Sequence, residues 1–478
     1  MSHPIRPFAG ARPTSRLLGL ALLLTLALPA LAAAVPPAPA AEEPQRFVVG
    51  YARDVSDADL HALLASGATA VLPLSSIDAV IVLAPPSLAA RLSARPDVLY
   101  VEPDGKARFF HYQTEAQTGE ATIRAGLRPL PGALTGAGVT VAVVDSGVDT
   151  THPDLAGQVV RRVHFDGTWT TAGIVTAEQR DLLAETSPGV NAPATTHGLS
   201  VGGVLAGTGA AAQGVDMRGV APGVRILDVD VCCSGIAVTQ VGRLEGWGTD
   251  FLLAYDYILR HKDDPQYPGG IRVATNQWGF GPHEPYPREA LTAILRAAVD
   301  AGITVIFSAG NSGPSPDTVA EPQKLVPELI TVGVSCPELD GYDAWLPGPC
   351  GLGDLAVYSS RGPAVDLVAP AAGIWSPKYV SHVANGDFAM PRPGLEADAA
   401  ATLSNKLWYG VFGGTSAAAP YVAGVVALML EADPTLTPAE IESILKGTAD
   451  SFGHPVPSTA WGHGEVRALA AVLAAMEA

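Results

Sequence analysis

Runs of β-branched and small apolar residues recur from residue 139 onward, and they constrain the fold more than any other feature of the chain. Residues 139–144 read Val-Thr-Val-Ala-Val-Val, which is typical of a strand buried on both faces. Similar runs occupy residues 224–231, 271–275, 303–307 and 329–334, with helix patterns between them at 197–206, 249–260 and 287–301. Strands that alternate with helices predict an α/β fold with a doubly wound, mostly parallel sheet, whose sites lie at the carboxyl ends of its strands.

The first residues resemble an export signal. Arg6, Arg12 and Arg16 precede an apolar run at 17–28, and residues 29–34 are rich in alanine. The run is shorter than the ~20 residues that a membrane-spanning helix needs, so a removed signal peptide over residues 1–34 is favoured over an anchor. We therefore expect a secreted chain that has no membrane association after signal removal.

The composition limits the class of partner. A net charge of −18 argues against a nucleic-acid partner, which would favour a basic face. Hydrophobic residues make up 48% of the 478 residues, which is enough to bury a large core. We expect a monomer that works outside the cell.

The residues between the signal and the large sheet follow another pattern. Strand signals at 47–51, 71–72, 80–82 and 98–101 and helix signals at 56–64 and 86–93 occur in the order β-α-β-β-α-β. This order predicts a small ferredoxin-like α+β domain over residues 46–104. The polar residues 105–118 show no apolar period and indicate a linker. A free-standing binding domain and a propeptide both fit the small domain, and its position after an export signal favours the propeptide.

A serine lies where a glycine-rich turn meets a helix. Residues 413–420 read Gly-Gly-Thr-Ser-Ala-Ala-Ala-Pro, and an apolar helix pattern follows at 421–430. There the Ser416 hydroxyl projects from the turn, while its own N–H and the helix N-terminus favour a nearby oxyanion. A buried helix with an ordinary Ser cap is the structural alternative.

Three other polar side chains occupy comparable positions. Asp145 ends the strand at 139–144, His197 begins a helix, and Asn311 follows the strand at 303–307. Each of them has an ordinary interpretation as a turn-forming or solvated residue. All four side chains are nevertheless expected at strand ends or helix starts, where the sites of such sheets lie.

The order Asp, His, Ser, together with the motif at 413–420, resembles the subtilisin-like serine peptidase family. Other matching segments are residues 141–148, 152–155, 219–222, 358–363 and 366–370. The resemblance covers about residues 135–469, which implies a peptidase domain over residues 119–478. Residues 46–104 are similar to the family's inhibitory prodomain, so residues 105–118 become its processing linker.

The resemblance implies a role for each of the four side chains. Ser416 is similar to the nucleophile, His197 to the general base and acid, and Asp145 to the carboxylate that orients the histidine. Asn311 resembles the side chain that binds the oxyanion. Since a serine hydroxyl is a poor nucleophile at neutral pH, a neutral imidazole must accept its proton.

The chain departs from the family pattern in two places. Residues 197–203 read His-Gly-Leu-Ser-Val-Gly-Gly where the family usually has His-Gly-Thr-His-Val-Ala-Gly, and residues 275–279 read Thr-Asn-Gln-Trp-Gly. The resemblance implies that the substrate cleft is lined by Gln277, Trp278, Gly279, Ser308, Ala309 and Gly310. Two segments, at 158–194 and 377–409, are longer than usual, and we expect surface loops that could rim the cleft.

Cysteines can pair in an exported chain. We expect a disulfide between Cys336 and Cys350, which flank a loop rich in Gly, Pro and Asp. For the adjacent Cys232 and Cys233, a vicinal bridge, two thiols and other pairings all stay open. Asp154 resembles a ligand of the calcium that some relatives bind, but residues 207–214 lack a run of oxygen ligands. We assign no metal or cofactor, and structural calcium stays open.

The expected function is a secreted serine endopeptidase that hydrolyses protein or peptide substrates. It would be made as a zymogen, with its own prodomain as intramolecular inhibitor. The altered sequence after His197 also fits a catalytically silent homologue that binds peptides. A serine hydrolase for esters is disfavoured, because the chain has no Gly-x-Ser-x-Gly elbow and the order of the triad differs from that fold.

Overall fold

The computed structural model describes residues 43–104, 106–109, 130, 132–165, 173–186, 196–213, 216–231, 245–336, 350–372, 374–378 and 408–478. The predicted signal peptide, residues 110–118 of the predicted linker, and Cys232 and Cys233 lie outside these residues.

Seventeen strands lie in the described part of the chain. In chain order they are β1 Gln45–Tyr51, β2 Ala70–Leu74, β3 Ala79–Ala84, β4 Val98–Pro103, β5 Lys106–Phe109, β6 Thr140–Asp145, β7 Val159–His164, β8 Gly173–Ile174, β9 Arg225–Asp230, β10 Glu245–Trp247, β11 Ile271–Asn276, β12 Trp278–Gly279, β13 Thr304–Ser308, β14 Ile330–Val334, β15 Leu367–Ala369, β16 Ile374–Pro377 and β17 Tyr409–Phe412.

Nine α-helices accompany them in the same residues. They are α1 Asp57–Ala65, α2 Pro86–Ser93, α3 Ala177–Thr186, α4 Thr196–Ala206, α5 Gly248–His261, α6 Arg288–Asp300, α7 Thr415–Ala432, α8 Pro438–Thr448 and α9 Ala468–Ala475. A 3₁₀ turn occupies Pro153–Leu155.

The expected parallel sheet is present and has seven strands. Their order is β15-β14-β13-β11-β6-β9-β7, and every neighbouring pair is parallel. Alternate residues of β6 enter two different cores: Val141 and Val143 pack with α4 and α7, whereas Ala142 and Val144 pack with α5. Helices therefore cover both faces, as the buried apolar strands require.

Helix α7 lies in the first of these cores. In the described part of the chain, α7 alone has the length and composition of a membrane-spanning helix, and 89% of it is buried within the protein. It packs against α4, α9 and strands β11, β13 and β14. This contact pattern is that of a central core helix.

The small N-terminal unit has the element order that the sequence indicates. Its strands are arranged β4-β1-β3-β2, with antiparallel neighbours. One face carries α1 and α2 over a compact core that includes Val49, Leu63, Val80 and Leu88.

Strand β5 lies within the predicted linker. It is the central strand of a three-stranded antiparallel sheet, in which β10 and β12 are its neighbours. No local strand pattern marks these residues, since the hydrogen bonds that form β5 come from two segments distant in sequence. The chain that leaves the small unit is thus paired with the large unit on both edges.

The prediction of a surface loop at residues 158–194 is wrong for much of that segment. Residues 159–164 form β7, the edge strand of the large sheet, and residues 177–186 form α3. Strand β8 pairs in parallel with β2, so that Gly173 lies opposite Ala70 and the small sheet gains a fifth strand. The other long segment, at 377–409, begins and ends in the antiparallel pair β16 and β17.

Cys336 and Cys350 are joined by a disulfide, and their Cα atoms are 5.3 Å apart. Both residues are buried beside the core that contains α7.

Candidate active site

Three neighbouring strands of the large sheet end at one edge with polar residues. Asp145 is the last residue of β6, Asn276 ends β11 and is followed by Gln277, and Ser308 ends β13. Because these strands are parallel and adjacent, their carboxyl ends meet at the same edge. All four residues are fully buried.

Asp145 and His197 are in direct contact. Nδ1 of His197 lies 2.8 Å from Oδ1 of Asp145 and 3.1 Å from Oδ2. The backbone N–H and the hydroxyl of Ser146 donate to Oδ1 at 2.7 and 3.0 Å. A carboxylate held in this way fixes the imidazole with its Nδ1–H toward Asp145, which leaves Nε2 as the basic nitrogen.

The start of α4 is pressed against the loop after β6. The N–H of Gly198 donates to Ser146 Oγ at 3.1 Å, and a Cβ atom on Gly198 would lie 2.4 Å from the carbonyl oxygen of Gly147. Only a residue without a side chain allows this approach. Gly198 thereby sets the position of the adjacent His197.

Asn311 is anchored to the start of α7. Its Oδ1 accepts the N–H and the hydroxyl of Thr415, both at 3.0 Å. Its buried Nδ2 has no hydrogen-bond partner among the described residues. Gly414 precedes Thr415 with φ of +83°, and a Cβ atom there would lie 3.0 Å from Nδ2. Gly414 therefore keeps the space beside this free donor open.

Ser416 is the second residue of α7 and is fully buried. Helix α7 packs against α4, which carries His197 near its start. The His197 ring lies 5.4 Å from that of Phe412, which ends β17 four residues before Ser416. Of the four predicted side chains, Asp145 and Asn311 thus lie at or just after strand ends, whereas His197 and Ser416 lie at the starts of two helices that touch.

The six residues expected to line the cleft fall into two groups. The backbones of Trp278 and Gly279 pair with β5, whereas the Trp278 ring is buried and stacked on Phe251 with centroids 3.8 Å apart. Gln277 is also buried, with its amide directed at Asp145. Strand β12 therefore contacts the neighbouring strand β5 through backbone atoms.

Residues 308–310 form the strand end that precedes Asn311. The Ser308 carbonyl accepts the Gln323 amide at 2.8 Å, and Ala309 is fully buried. Gly310 has φ of +104°, and its N–H donates to Thr415 Oγ1 at 3.1 Å. Thr415 therefore fixes both Gly310 and Asn311 relative to α7.

A buried acidic group supports the loop after β6. Oδ2 of Asp228, on β9, accepts the N–H of Val148 at 2.9 Å and also contacts Arg162. Burial raises the pKa of Asp228 to about 6, against the opposing effect of Arg162. The loop that follows Asp145 is therefore held by a carboxylate on the neighbouring strand.

A profile of the subtilase family matches residues 136–464, which is more than half of the chain. The chain belongs to the subtilase family.

Individual relatives agree with this assignment. Serine protease AprX of Bacillus subtilis (strain 168) is 30% identical over 364 residues, which are 74% of this chain and 70% of that protein. Fervidolysin of Fervidobacterium pennivorans is 30% identical over 329 residues, which are 69% of this chain and 39% of the relative. An extracellular protease of Xanthomonas campestris pv. campestris is 28% identical over 413 residues, 82% of this chain and 62% of that protein.

A solved structure agrees in fold. The crystal structure of fervidolysin, described as a keratinolytic enzyme related to subtilisin, matches with a TM-score of 0.61 at 24% identity, over 90% of this chain and 61% of that chain. With the family established, this subtilase is a serine-type endopeptidase.

The residues that hydrogen-bond to Asp145 and Asn311 are harder to predict from the sequence than Asp145 and Asn311 themselves. Ser146 donates to Asp145 and Thr415 donates to Asn311, yet neither residue has a role predicted from the sequence. Each lies next to a predicted residue within its own motif. A short polar residue beside a candidate catalytic residue is the signal that could have identified them.

The calcium that some relatives bind does not fit the donors around Asp154. This buried carboxylate accepts the Tyr409 hydroxyl at 2.8 Å with both oxygens, the Ala211 N–H at 2.9 Å and the Gly209 N–H at 3.2 Å. Calcium requires oxygen acceptors, whereas these groups are hydrogen donors. In the described residues, moreover, no group of three or more His, Cys, Asp or Glu side chains is arranged to hold a metal.

We predict that Tyr409→Phe lowers the free energy of unfolding by about 1–3 kcal/mol, because a buried carboxylate loses a donor. Thermal unfolding of the wild type and of the variant, each with calcium and with EDTA, checks this. Because calcium does not fit at Asp154, neither addition should shift the midpoint of the wild type. A wild-type midpoint that falls in EDTA, together with an EDTA-insensitive Asp154→Asn variant, would contradict it.

Proposed function

We propose that this subtilase is exported as a zymogen and that Ser416 carries its peptidase chemistry. In this proposal His197 is the general base and acid, and Asp145 orients it. Asn311 and the N–H of Ser416 bind the oxyanion. The observation that supports the proposal most directly is the contact between His197 Nδ1 and Asp145 Oδ1 at 2.8 Å, at the edge where α7 begins.

The proposed reaction is acyl transfer followed by hydrolysis. The Ser416 oxygen attacks the peptide carbonyl while His197 Nε2 accepts the hydroxyl proton, and Asp145 stabilises the imidazolium that forms. The carbonyl oxygen gains negative charge between the Asn311 Nδ2 and the Ser416 N–H. His197 then gives its proton to the leaving amine, and a water molecule activated by His197 releases the acid. This sequence requires no metal or cofactor.

We predict that Ser416→Ala abolishes turnover of a casein-like substrate without changing the fold, since the attacking oxygen is lost. Rate assays and circular dichroism of the purified variant measure the two effects. Equal turnover by wild type and variant would refute the role of Ser416.

The competing hypothesis is a silent homologue that binds peptides in the same cleft. The altered residues after His197 favour it, but all four side chains are present: Asp145, His197 and Ser416 are buried, and Asn311 is partly buried. Covalent labelling with an organophosphonate distinguishes the two hypotheses, because it requires an activated serine. Labelling of the wild type but not of Ser416→Ala supports the enzyme.

We predict that Asn311→Leu lowers kcat by about 10²–10³-fold, a general magnitude that derives from a subtilisin, and leaves KM nearly unchanged. The variant keeps the approximate side-chain volume but lacks the free Nδ2 donor. Steady-state kinetics measure both constants. A rise in KM at constant kcat would assign Asn311 to substrate binding instead.

The zymogen proposal depends on β5. We propose that residues 46–104 are a ferredoxin-like inhibitory prodomain and that the chain leaving it occupies the substrate cleft. The antiparallel pairing of β5 with β10 and β12 supports this, because an extended peptide between two strands can form backbone hydrogen bonds on both of its sides. Cleavage in the part of the predicted linker that follows β5 would convert this strand into a released product.

Carboxylates of the small unit meet two helix N-termini of the large unit. Glu102 accepts the N–H groups of Glu289, at 2.8 and 2.9 Å, and of Ala290, at 3.1 Å, where α6 begins. Asp104 accepts the N–H and the hydroxyl of Thr249 at 2.9 and 2.7 Å, near the start of α5. Helix N-termini attract negative charge, so these contacts support a bound inhibitory state.

Two further contacts strengthen this interface. Asp256 of α5 accepts the N–H of Ser76, in the turn between β2 and β3, at 3.1 Å. Strand β8, which precedes α3, extends the sheet of the small unit. The export signal and the relative named as an extracellular protease support secretion. The proposal further includes protein or peptide substrates and a monomeric enzyme.

We predict that Glu102→Ala shortens the lag before full activity appears, because the cap on α6 is lost and the prodomain dissociates faster. Activity is followed over time after purification of the precursor, and N-terminal sequencing should locate the new terminus between residues 104 and 118. Glu43→Ala is a matched control, since Glu43 is exposed. A precursor that is fully active without any cleavage would contradict the inhibitory role.

A further inference from the structure

We infer that Gln277 is a positioning residue for the catalytic carboxylate Asp145, an inference that rests on the proposed function. The segment was expected to line the substrate cleft. In the structure, the Gln277 side chain instead points into the protein, toward the carboxyl end of β6, and is fully buried.

The hydrogen bonds around the amide determine its orientation. With Nε2 directed at Asp145, the amide donates to Oδ2 at 2.9 Å. Its carbonyl oxygen then accepts the Thr275 hydroxyl at 2.6 Å and the Asn276 N–H at 3.2 Å. The reverse orientation would direct the carbonyl oxygen at a carboxylate, where no hydrogen bond can form. The carbonyl oxygen of the Gln277 amide is thus held by Thr275 and Asn276, while its nitrogen donates to Asp145.

This contact adds a donor on the second oxygen of Asp145. Oδ1 accepts from Ser146 and lies nearest to His197, whereas Oδ2 is 3.1 Å from His197 and 2.9 Å from the Gln277 amide. A buried carboxylate is costly unless its lone pairs are satisfied. Gln277 therefore supplies a donor to Oδ2, and it limits rotation of the carboxylate.

Other charged groups approach this region from the neighbouring strands. Asp230 of β9 lies opposite Asp145 in register and is 2.9 Å from His164 of β7. Asp228, two residues earlier, contacts Arg162. From the other side, β11 contributes the neutral Gln277. A neutral donor satisfies the Asp145 oxygen without the charge that a lysine or arginine would add.

The contact has a measurable consequence for His197. The negative charge of Asp145 favours the protonated imidazole, and a donor at Oδ2 weakens that attraction. Removal of the donor should strengthen that attraction, so that activity is lost at a higher pH than in the wild type. The freed carboxylate should also hold the imidazole less well, which lowers kcat.

The test compares Gln277→Met and Gln277→Glu with the wild-type mature enzyme. Met keeps the length of the side chain and removes the donor, and kcat should fall on the order of tenfold with KM little changed, as expected for loss of a hydrogen bond to a charged group. The acid limb of kcat/KM should move to higher pH in Gln277→Met. In Gln277→Glu the acid limb should stay nearer to its wild-type position, because two carboxyl groups in hydrogen-bond contact share one proton and the protonated Glu keeps a donor at Oδ2.

Asn276→Leu is the matched control. Asn276 is also a buried amide at the end of β11, but it donates to the Tyr255 hydroxyl at 2.8 Å and to the Ile306 carbonyl at 3.1 Å. Its loss should lower the thermal midpoint and leave the acid limb in place. Midpoints are measured in a Ser416→Ala background to prevent self-digestion.

An acid limb that moves in Gln277→Met, and much less in Gln277→Glu, supports the inference. If Gln277→Met loses stability but keeps the wild-type pH profile, Gln277 has only a structural role, and a rise in KM alone would assign it to substrate binding. Either result overturns the inference. If Gln277→Met does not fold, Gln277→Leu, which also lacks the donor, decides by the same criterion. An inactive or unlabelled wild type would instead refute the proposed function.

Discussion

The buried carboxylate of Asp145 is the charge around which the edge with the candidate active site is arranged. Its removal from water would be unfavourable without donors, and three segments supply them: Ser146 from the loop after β6, His197 from α4, and Gln277 from the end of β11. Each donor restrains the element that carries it. The close approach of Gly198 to Gly147 follows from the same requirement, because α4 must begin beside this carboxylate.

Much of the large unit could be predicted from sequence because its signals are local. Runs of β-branched residues mark strands that are buried on both faces, and the observed strands β9, β11, β13 and β14 lie within one residue of the predicted bounds at each end. The candidate residues could be found for a related reason. Asp145, His197, Asn311 and Ser416 all lie where a regular pattern begins or ends, and in a parallel sheet such positions converge.

The features that escaped prediction are formed by distant partners. Strand β5 exists through its pairing with β10 and β12, and β8 exists through its pairing with β2. Neither has a pattern of its own. Asp154 was compared with a metal ligand, but its partners Tyr409, Gly209 and Ala211 come from segments whose proximity no local pattern reveals. Likewise, the sequence predicts that Gln277 lies beside the cleft, but it does not predict that its side chain points toward Asp145.

The link between Asn311 and Thr415 joins two segments that are about a hundred residues apart in the chain. Since Ser416 directly follows Thr415, the amide of Asn311 and the serine share one rigid frame. A displacement of either segment would carry the other with it. The distance between the serine hydroxyl and the amide is therefore insensitive to such a displacement.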